Sequence, residues 1–544
     1  MNKTIKLLSA VLMGLAIASC SSPEKMAEMA DGVTVKCDPA VLEVVGGKID
    51  ADVTVTYPAK YFHPKAILEV TPVIVYEGGE AKMEPFYFQG ENVKDNHQVV
   101  SSKGSTITKK VSFDYAKGME NCYLELRGTV KYKTKGTDLP SRKVADGANT
   151  TYMLVNTDGR VDFKADNYQE VIAQTAEGQI LYNINSAEVR NSQLSSKSIK
   201  DFQAALDAIK ANERMNIVST DVVAYASPDG EEDKNAKLSN NRSKSAENAF
   251  NKVTKKHSVD APVNVKSIAE DWEGFQELVA ESDIEDKELI IRVLSMYSDP
   301  EVREQEIRNM SAIYSTLAKE VLPELRRARF IANVEYTNYT SEELLSLIEQ
   351  NMDILDEEAL LRSATLVQDN EDKFALYNKA VEKYNSQRAQ YNLGVLHLNN
   401  NDLAKAKKAF ANVPEDGDVY NALGVIAMRE GDYNAAAEYF AYAENEAGVE
   451  NAAVIDIIDG EYEAAAQKLS GKKGYNAALS QLLLGNADPA ANLECECPKA
   501  AYLRAIAAAR KGDSFVMKAN LNDAAKDAKL AERAAKDIEF VQFR

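Results

Sequence analysis

The sequence is poor in the residues that most often carry metal or nucleophilic chemistry. Its 544 residues include 4 histidines, 5 cysteines and 1 tryptophan. The histidines lie in unrelated contexts, and the chain has no H-E-x-x-H, G-x-S-x-G or G-x-x-x-x-G-K-[ST] pattern. We therefore expect a protein that is not an enzyme and that uses no metal and no cofactor.

Positive charge is also scarce. The chain has 64 Lys and Arg against 84 Asp and Glu, a formal net charge of −20, and no long basic run. This charge argues against nucleic-acid binding, and it would repel anionic lipid headgroups. Any membrane attachment therefore requires a covalent anchor. A hydrophobic content of 45% is typical of globular protein, and the length predicts three or four domains.

The beginning of the chain predicts such an anchor. Lys3 and Lys6 precede a mostly apolar stretch that is too short to span a bilayer, and small residues then lead to Cys20. The pattern resembles a bacterial lipoprotein signal peptide over 1–19. The resemblance implies that Cys20 is lipidated, with palmitate among its acyl groups. The alternative is an ordinary secretory signal. Residues 20–32 are polar and predict a tether.

Alternating apolar and polar residues dominate 33–155, for example at 41–45 and 122–132. Gly-Gly turns separate these stretches, so the region predicts a β-sandwich of immunoglobulin-like type. Cys37 and Cys122 both lie in it. Because an exported protein meets an oxidising compartment, a disulfide between them is one interpretation, and two free thiols are the other.

Strands and helices alternate over 156–340. Strands are predicted at 179–184, 217–226 and 263–268, helices at 198–209 and 235–253, and a further strand after a helical insertion at about 271–322. The predicted order is therefore β-α-β-α-β, helices, β.

One turn in this region carries a motif. The spacing of Gly230, Asn235 and Arg242 resembles the peptidoglycan-binding motif of the OmpA-like domain, and the order of strands and helices is that of the family. The surroundings of Trp272 and the stretch 323–330 also resemble OmpA-like proteins of Bacteroidetes, some of them encoded beside surface fimbriae.

The resemblance implies a ligand, the meso-diaminopimelate of peptidoglycan. Arg242 would pair with a ligand carboxylate, and Asn235 would open the helix. Ser227 stands where the family has an aspartate, and Asp229 is a candidate to replace that charge. Arg326 and Arg327 are expected to line the same pocket. The alternative for Arg242 is a solvated or sheet-edge arginine on a helix face.

Residues 341–535 are helical and repetitive, and 536–544 form a tail. Thirty residues separate Leu393 from Leu423, and each precedes a glycine. Helix, Gly/Asn/Asp turn and alanine-rich helix follow one another, a pattern that resembles the tetratricopeptide repeat, although that repeat normally spans ~34 residues. A plain helical bundle is the alternative. Cys495 and Cys497 form a C-x-C without a nearby histidine, which favours a redox or packing pair over zinc.

Together these features predict a multidomain protein with a β-sandwich, an α/β OmpA-like domain and an all-α repeat solenoid. We interpret it as a non-catalytic outer-membrane lipoprotein on the periplasmic face or the cell surface. Its repeats would bind outer-membrane or periplasmic proteins, and its OmpA-like domain would bind peptidoglycan. The alternative is an assembly or anchoring subunit of a surface fimbria or export complex whose OmpA-like domain does not bind peptidoglycan.

Overall fold

The computed structural model describes residues 23–228, 231–284, 287–309 and 311–543. They form two compact units, of which the first combines the chain up to Lys164 with the chain from Gln387, and the second is Ala165–Ser386. The division differs from the predicted domains. The β-rich region and the repeats share one unit, while 341–386 belong with the α/β part.

The β-rich region begins with a short helix. Its elements are α1 (Pro23–Glu28), β1 (Thr34–Asp38), β2 (Val41–Val45), β3 (Lys48–Tyr57), β4 (Ile67–Tyr76), β5 (Gly79–Lys82), β6 (Phe86–Gly90), β7 (Gln98–Val100), β8 (Ser105–Asp114), β9 (Cys122–Tyr132), β10 (Lys135–Asp138) and β11 (Arg142–Asn149). The turn between β2 and β3 uses Gly46 and Gly47 at φ +55° and +76°, as their sequence pattern predicts.

Strand β2 joins two groups of strands into one sheet. It pairs antiparallel with β3 and parallel with β11. β1 and β8 also pair with β3, whereas β11 continues through β9, β4 and β6 to β7. Val53 and Val111 of the first group share a core with Ile74 and Leu124 of the second. The predicted β-rich region is confirmed, and one continuous sheet supplies both faces of its core.

The second unit contains four described strands and ten described helices. They are β12 (Val171–Leu181), α2 (Asn191–Leu194), α3 (Lys197–Ala211), β13 (Met215–Tyr225), α4 (Glu232–Thr254), β14 (Val263–Ile268), α5 (Trp272–Glu281), α6 (Lys287–Met296), α7 (Pro300–Asn309), α8 (Ser311–Glu320), β15 (Arg327–Thr337), α9 (Ser341–Asn351), α10 (Glu357–Leu366) and α11 (Asn370–Tyr384).

The sheet of this unit has the order β12-β15-β13-β14. β13 and β14 are parallel, and β15 is antiparallel to both of its neighbours. Phe202 of α3, Phe250 of α4 and Phe330 of β15 meet with ring centroids 5.3 to 6.4 Å apart, so the two helices cover one face. Helices α5–α8 form the insertion and have their own core, on which Trp272 packs.

The C-terminal part consists of helical hairpins. Its helices are α12 (Gln387–Asn399), α13 (Leu403–Phe410), α14 (Gly417–Glu430), α15 (Tyr433–Tyr442), α16 (Glu446–Asp459), α17 (Tyr462–Lys468), α18 (Tyr475–Leu483), α19 (Asp488–Ala491), α20 (Pro498–Arg510), α21 (Ser514–Ala524) and α22 (Ala528–Lys536). This repeat-like arrangement agrees with the predicted solenoid. Among the described residues, none of the helices combines the length and apolar character needed to cross a membrane.

Small and acidic residues build the hairpins in the way that their spacing predicts. A Cβ on Gly394 or Gly424 would lie 2.5 or 2.4 Å from the rings of Phe410 and Phe440, so the paired helices touch where glycine stands. Asp432 begins α15 by accepting the N–H of the residue three positions later. Tyr433, at the start of α15, is 37% exposed.

Candidate functional site

Residues 155–164 cross the helical hairpins without forming a helix or strand. We call this segment the strap. The sequence assigned 156–164 to the α/β domain, but the strap belongs to the first unit, where Val155 and Val161 pack against its apolar cores. Its backbone groups therefore need partners other than a neighbouring strand.

Four asparagines supply these partners, and we call them the asparagine row. The first helix of each of four successive hairpins carries one member: Asn392 on α12, Asn421 on α14, Asn451 on α16 and Asn476 on α18. The first three are 1 to 2% exposed. An asparagine side chain carries one acceptor and one two-hydrogen donor, so it can satisfy both backbone groups of an extended residue.

The strap is held at every fourth residue. Asn476 accepts the N–H of Asn156 at 2.8 Å and donates to its carbonyl at 2.8 Å. Asn451 makes the same pair with Arg160, also at 2.8 and 2.8 Å. Asn392 repeats the arrangement on Lys164 at 2.8 and 3.0 Å.

Asn421 joins this network between two hairpins. Its Nδ2 donates to the carbonyl of Arg160 at 2.9 Å, and its Oδ1 accepts from Asn451 at 2.8 Å. Arg429 adds a bond of 2.7 Å from Nε to the carbonyl of Asp158. The asparagine row and Arg429 thus line a groove between the hairpins and the strap. This groove binds the strap as an extended polypeptide, through its backbone.

Two strap side chains meet acidic residues of the repeats. Arg160 lies 3.0 Å from Glu450 and 3.6 Å from Glu446. Lys164 contacts Asp416 and lies 3.3 Å from Asp418. Burial by itself lowers the pKa of Lys164, but its hydrogen bonds with these two carboxylates outweigh burial and raise that pKa. Both strap cations therefore stay charged at neutral pH.

A glycine lets the strap approach the helices. Gly159 has φ +71°, and a Cβ there would lie 2.6 Å from Val425. Sequence reasoning missed the whole groove. A usable signal was the Tyr-Asn pair at 391–392, 420–421 and 475–476, which recurs in the first helix of three hairpins.

The second candidate site is the predicted OmpA-like motif. Ser227 accepts a hydrogen bond at its carbonyl from Asn235 at 3.1 Å. Arg242 is 1% exposed and donates to the carbonyls of Tyr225 at 2.8 Å, Ser186 at 2.9 Å and Asn183 at 3.3 Å. Arg242 is therefore not solvated, because α4 packs it against the end of β13, and the sheet-edge alternative stays open. Asp229 and Gly230 lie outside the described residues.

A buried ion pair lies beside this motif. Nη2 of Arg327 is 2.8 Å from Oδ2 of Asp271, and the two residues are 8% and 4% exposed. The guanidinium of Arg327 also lies 5.3 Å from the ring of Tyr225, whose carbonyl accepts from Arg242. Arg327 and Arg242 thus contact different groups of Tyr225, and sequence reasoning missed Asp271, the partner of Arg327.

The cysteines of the β-rich region are both free thiols, so the disulfide interpretation is not the arrangement in the structure. Burial raises the pKa of Cys122 to about 12, and burial also raises the pKa of Cys37. Cys20, the predicted lipidation site, lies outside the described residues.

No family model matches the sequence, and no curated protein matches it. Among solved structures, the chain is similar to one described as "Crystal structure of YrrB: a TPR protein with an unusual peptide-binding site". The identity is 21% and the TM-score 0.22, and the match covers 36% of this chain and 100% of that chain.

Proposed function

We propose that this protein is a non-catalytic scaffold whose helical repeats bind protein partners and whose N-terminal lipid at Cys20 anchors it to the bacterial outer membrane. The observation that supports the scaffold is the asparagine row, which holds three residues of an extended segment by their backbone groups. The lipoprotein-like sequence before Cys20 supports the anchor.

Photo-crosslinking in cells tests the scaffold. A crosslinking amino acid at the exposed positions 442 and 515 of the hairpins should capture outer-membrane or periplasmic proteins, and the same group at exposed position 80 of the β-rich region serves as the matched control. Equal capture at all three positions would contradict a role of the repeats.

The lipid anchor is tested by the Cys20→Ala variant. This variant should leave the membrane fraction and lose metabolic palmitate labelling.

For the OmpA-like part we propose peptidoglycan binding as the first candidate, supported by the closeness of Ser227, Asn235 and Arg242. The second candidate is an anchoring or assembly subunit of a surface fimbria or export complex without glycan binding. The burial of Arg242 favours the second candidate, because a guanidinium that is 1% exposed and bonded to three carbonyls offers little surface to a ligand carboxylate.

Co-sedimentation of the full chain with purified peptidoglycan sacculi separates the two candidates. The first predicts that wild type pellets with sacculi and that Ser227→Asp, which restores the family's carboxylate, pellets more strongly. Asn241→Asp adds the same charge at an exposed position of α4 and serves as the control. If neither wild type nor Ser227→Asp pellets with sacculi, and Ser227→Asp has the Tm of wild type, the second candidate stands.

A further inference from the structure

The groove over the asparagine row is already filled by the chain's own strap. We propose that the groove is a peptide site for an extended segment of a partner protein with cationic side chains at two fixed positions, and that the strap occupies it in cis as a replaceable ligand. The partner segment would carry a Gly-Arg pair followed, after three residues, by Lys. This inference deepens the proposed function and rests on the repeats being the partner-binding element.

The backbone contacts define the shape of the ligand. Each of Asn392, Asn451 and Asn476 pairs with both the N–H and the carbonyl of one strap residue, at distances from 2.8 to 3.0 Å. Such paired contacts require an extended chain whose N–H and carbonyl groups are unused. These backbone hydrogen bonds do not distinguish between side chains. The groove can therefore bind a second segment that has the same extended conformation.

The side-chain contacts define its charge. Arg160 faces Glu446 and Glu450, and Lys164 faces Asp416 and Asp418. Two carboxylates at each of these positions disfavour a ligand with an acidic side chain there, since like charges brought together are unfavourable. The strap also carries Asp158 and Asp162, so the preference applies to the two positions and not to the net charge of the ligand. Lys164 also lies 5.1 Å from the ring centroid of Tyr391, which adds a cation–π contact.

Gly159 fixes the register. Because a Cβ at this position would lie 2.6 Å from Val425, a ligand with any larger residue before its arginine would have to shift. The ligand class is therefore a Gly-Arg-x-x-x-Lys segment, in the register of 159–164.

Occupation in cis sets the apparent affinity for a partner. A tethered segment competes at an effective concentration in the mM range, so an added peptide binds only to the fraction of molecules whose strap has left. Weakening the strap should therefore strengthen the binding of a peptide added in trans. A purely structural strap would give the opposite result, because weakening it would only destabilise the unit.

The experiment uses a fluorescent peptide with the sequence of 153–166 and the full-length protein. The strap variant Arg160→Glu with Lys164→Glu should bind the peptide at least about tenfold more tightly than wild type, measured by anisotropy. A peptide with glutamate at the positions of Arg160 and Lys164 is the matched control, and it should not bind.

A second variant keeps the result interpretable if the strap variant is unstable. Glu450→Lys in the chain with the wild-type strap weakens the strap from the side of the repeats, because it places two cations together at Arg160. This variant should bind a peptide with glutamate at the position of Arg160 more tightly than the wild-type peptide. Absence of peptide binding to a strap variant with wild-type Tm would overturn the proposal, as would formation of a dimer by strap exchange without peptide binding. Partner capture at the hairpins together with absent peptide binding would reject the groove but leave the scaffold intact.

Discussion

Asn451 combines three hydrogen bonds in one buried side chain. It accepts the N–H of Arg160, donates to the carbonyl of the same residue and donates to Asn421. Since Asn451 is 2% exposed, water does not replace these bonds when the side chain is shortened. A buried polar group that loses its partner typically costs ~1–3 kcal/mol.

The Asn451→Ala variant is therefore expected to lower the free energy of unfolding by about 2–4 kcal/mol, because it leaves polar groups of Arg160 and Asn421 with fewer partners. Chemical denaturation followed by circular dichroism measures this loss. Asn412→Ala removes an exposed asparagine of the same repeats and should stay within ~0.5 kcal/mol of wild type. Equal losses in the two variants would show that the row adds nothing to stability.

The C-x-C pair differs in reactivity from the cysteine of the β-rich core. Burial by itself raises the pKa of Cys497, but hydrogen bonds from Cys495 and from the backbone N–H of Ala500 outweigh burial, so its pKa is lowered. Burial raises the pKa of Cys122 to about 12. At neutral pH a larger fraction of Cys497 is therefore thiolate, the nucleophilic form.

Iodoacetamide labelling followed by mass spectrometry should modify Cys497 at lower pH and faster than Cys122. Cys495→Ala removes the hydrogen bond that lowers the pKa, so the labelling of Cys497 should shift to higher pH. Cys37→Ser, which removes a thiol elsewhere, should leave the profile of Cys497 unchanged. Labelling of Cys122 before Cys497 would contradict the pKa order.

At the scale of residues, the sequence predicts contacts between residues that are close together in the chain. Ser227, Asn235 and Arg242 lie on one strand, turn and helix, so their spacing alone indicates that they meet, and the hydrogen bonds to β13 agree. Asp271 and Arg327 are 56 residues apart, and no local pattern joins them. The strap residues bound by the asparagine row are 228 to 320 residues away from it in sequence. No local pattern joins them either.

At the scale of elements, the hairpin of α14 and α15 depends on one glycine. A Cβ on Gly424 would lie 2.4 Å from the ring of Phe440, which is 5% exposed and has little room to move. Overpacking of a filled core costs typically ~1–3 kcal/mol.

Gly424→Ala is therefore expected to lower the free energy of unfolding by about 1–3 kcal/mol, even though alanine is the better helix former. Denaturant titration gives the value. Gly136→Ala on β10 is the control, since its Cβ would meet the nearest atom at 3.6 Å, an ordinary contact. A Gly424→Ala variant as stable as wild type would mean that the helices of the hairpin can move apart freely.

Elements with a buried face are predicted well, and those without one are not. The hairpins and strands such as β3 alternate in burial, so their periodicity is visible in the sequence. β12 begins at Val171, but the sequence predicted a strand only from Gln179, because the first half of β12 is mostly exposed. The strap has no periodicity at all, and its conformation is imposed by side chains from four other helices.

At the scale of the molecule, the β-rich region and the repeats are one folding unit. A single core contains Leu42 and Val53 of the strands together with Ile457, Leu479 and Tyr502 of the hairpins. The sequence predicted two separate domains here, because periodicity identifies the class of each element but not the element on which it packs.

Leu42→Ala should therefore loosen the helices as well as the strands. Removing a fully buried leucine costs about 2–5 kcal/mol, and hydrogen exchange measured by mass spectrometry should quicken in α18 as well as in β2. Leu68→Ala removes a leucine from a core that contains only residues of the β-rich region, and it should affect α18 less. Unchanged exchange in α18 of the Leu42→Ala variant would contradict the shared core.

The strap also places a constraint on the order of events during synthesis. The ribosome releases Asn156 long before Asn476, its partner 320 residues later, so the backbone groups of the strap stay bound to water until the last hairpins emerge. Contacts of such high sequence separation form slowly and late. A chain interrupted before Asn451 would leave the strap without Asn451 and Asn476, which is the state in which another protein or a chaperone can reach it first.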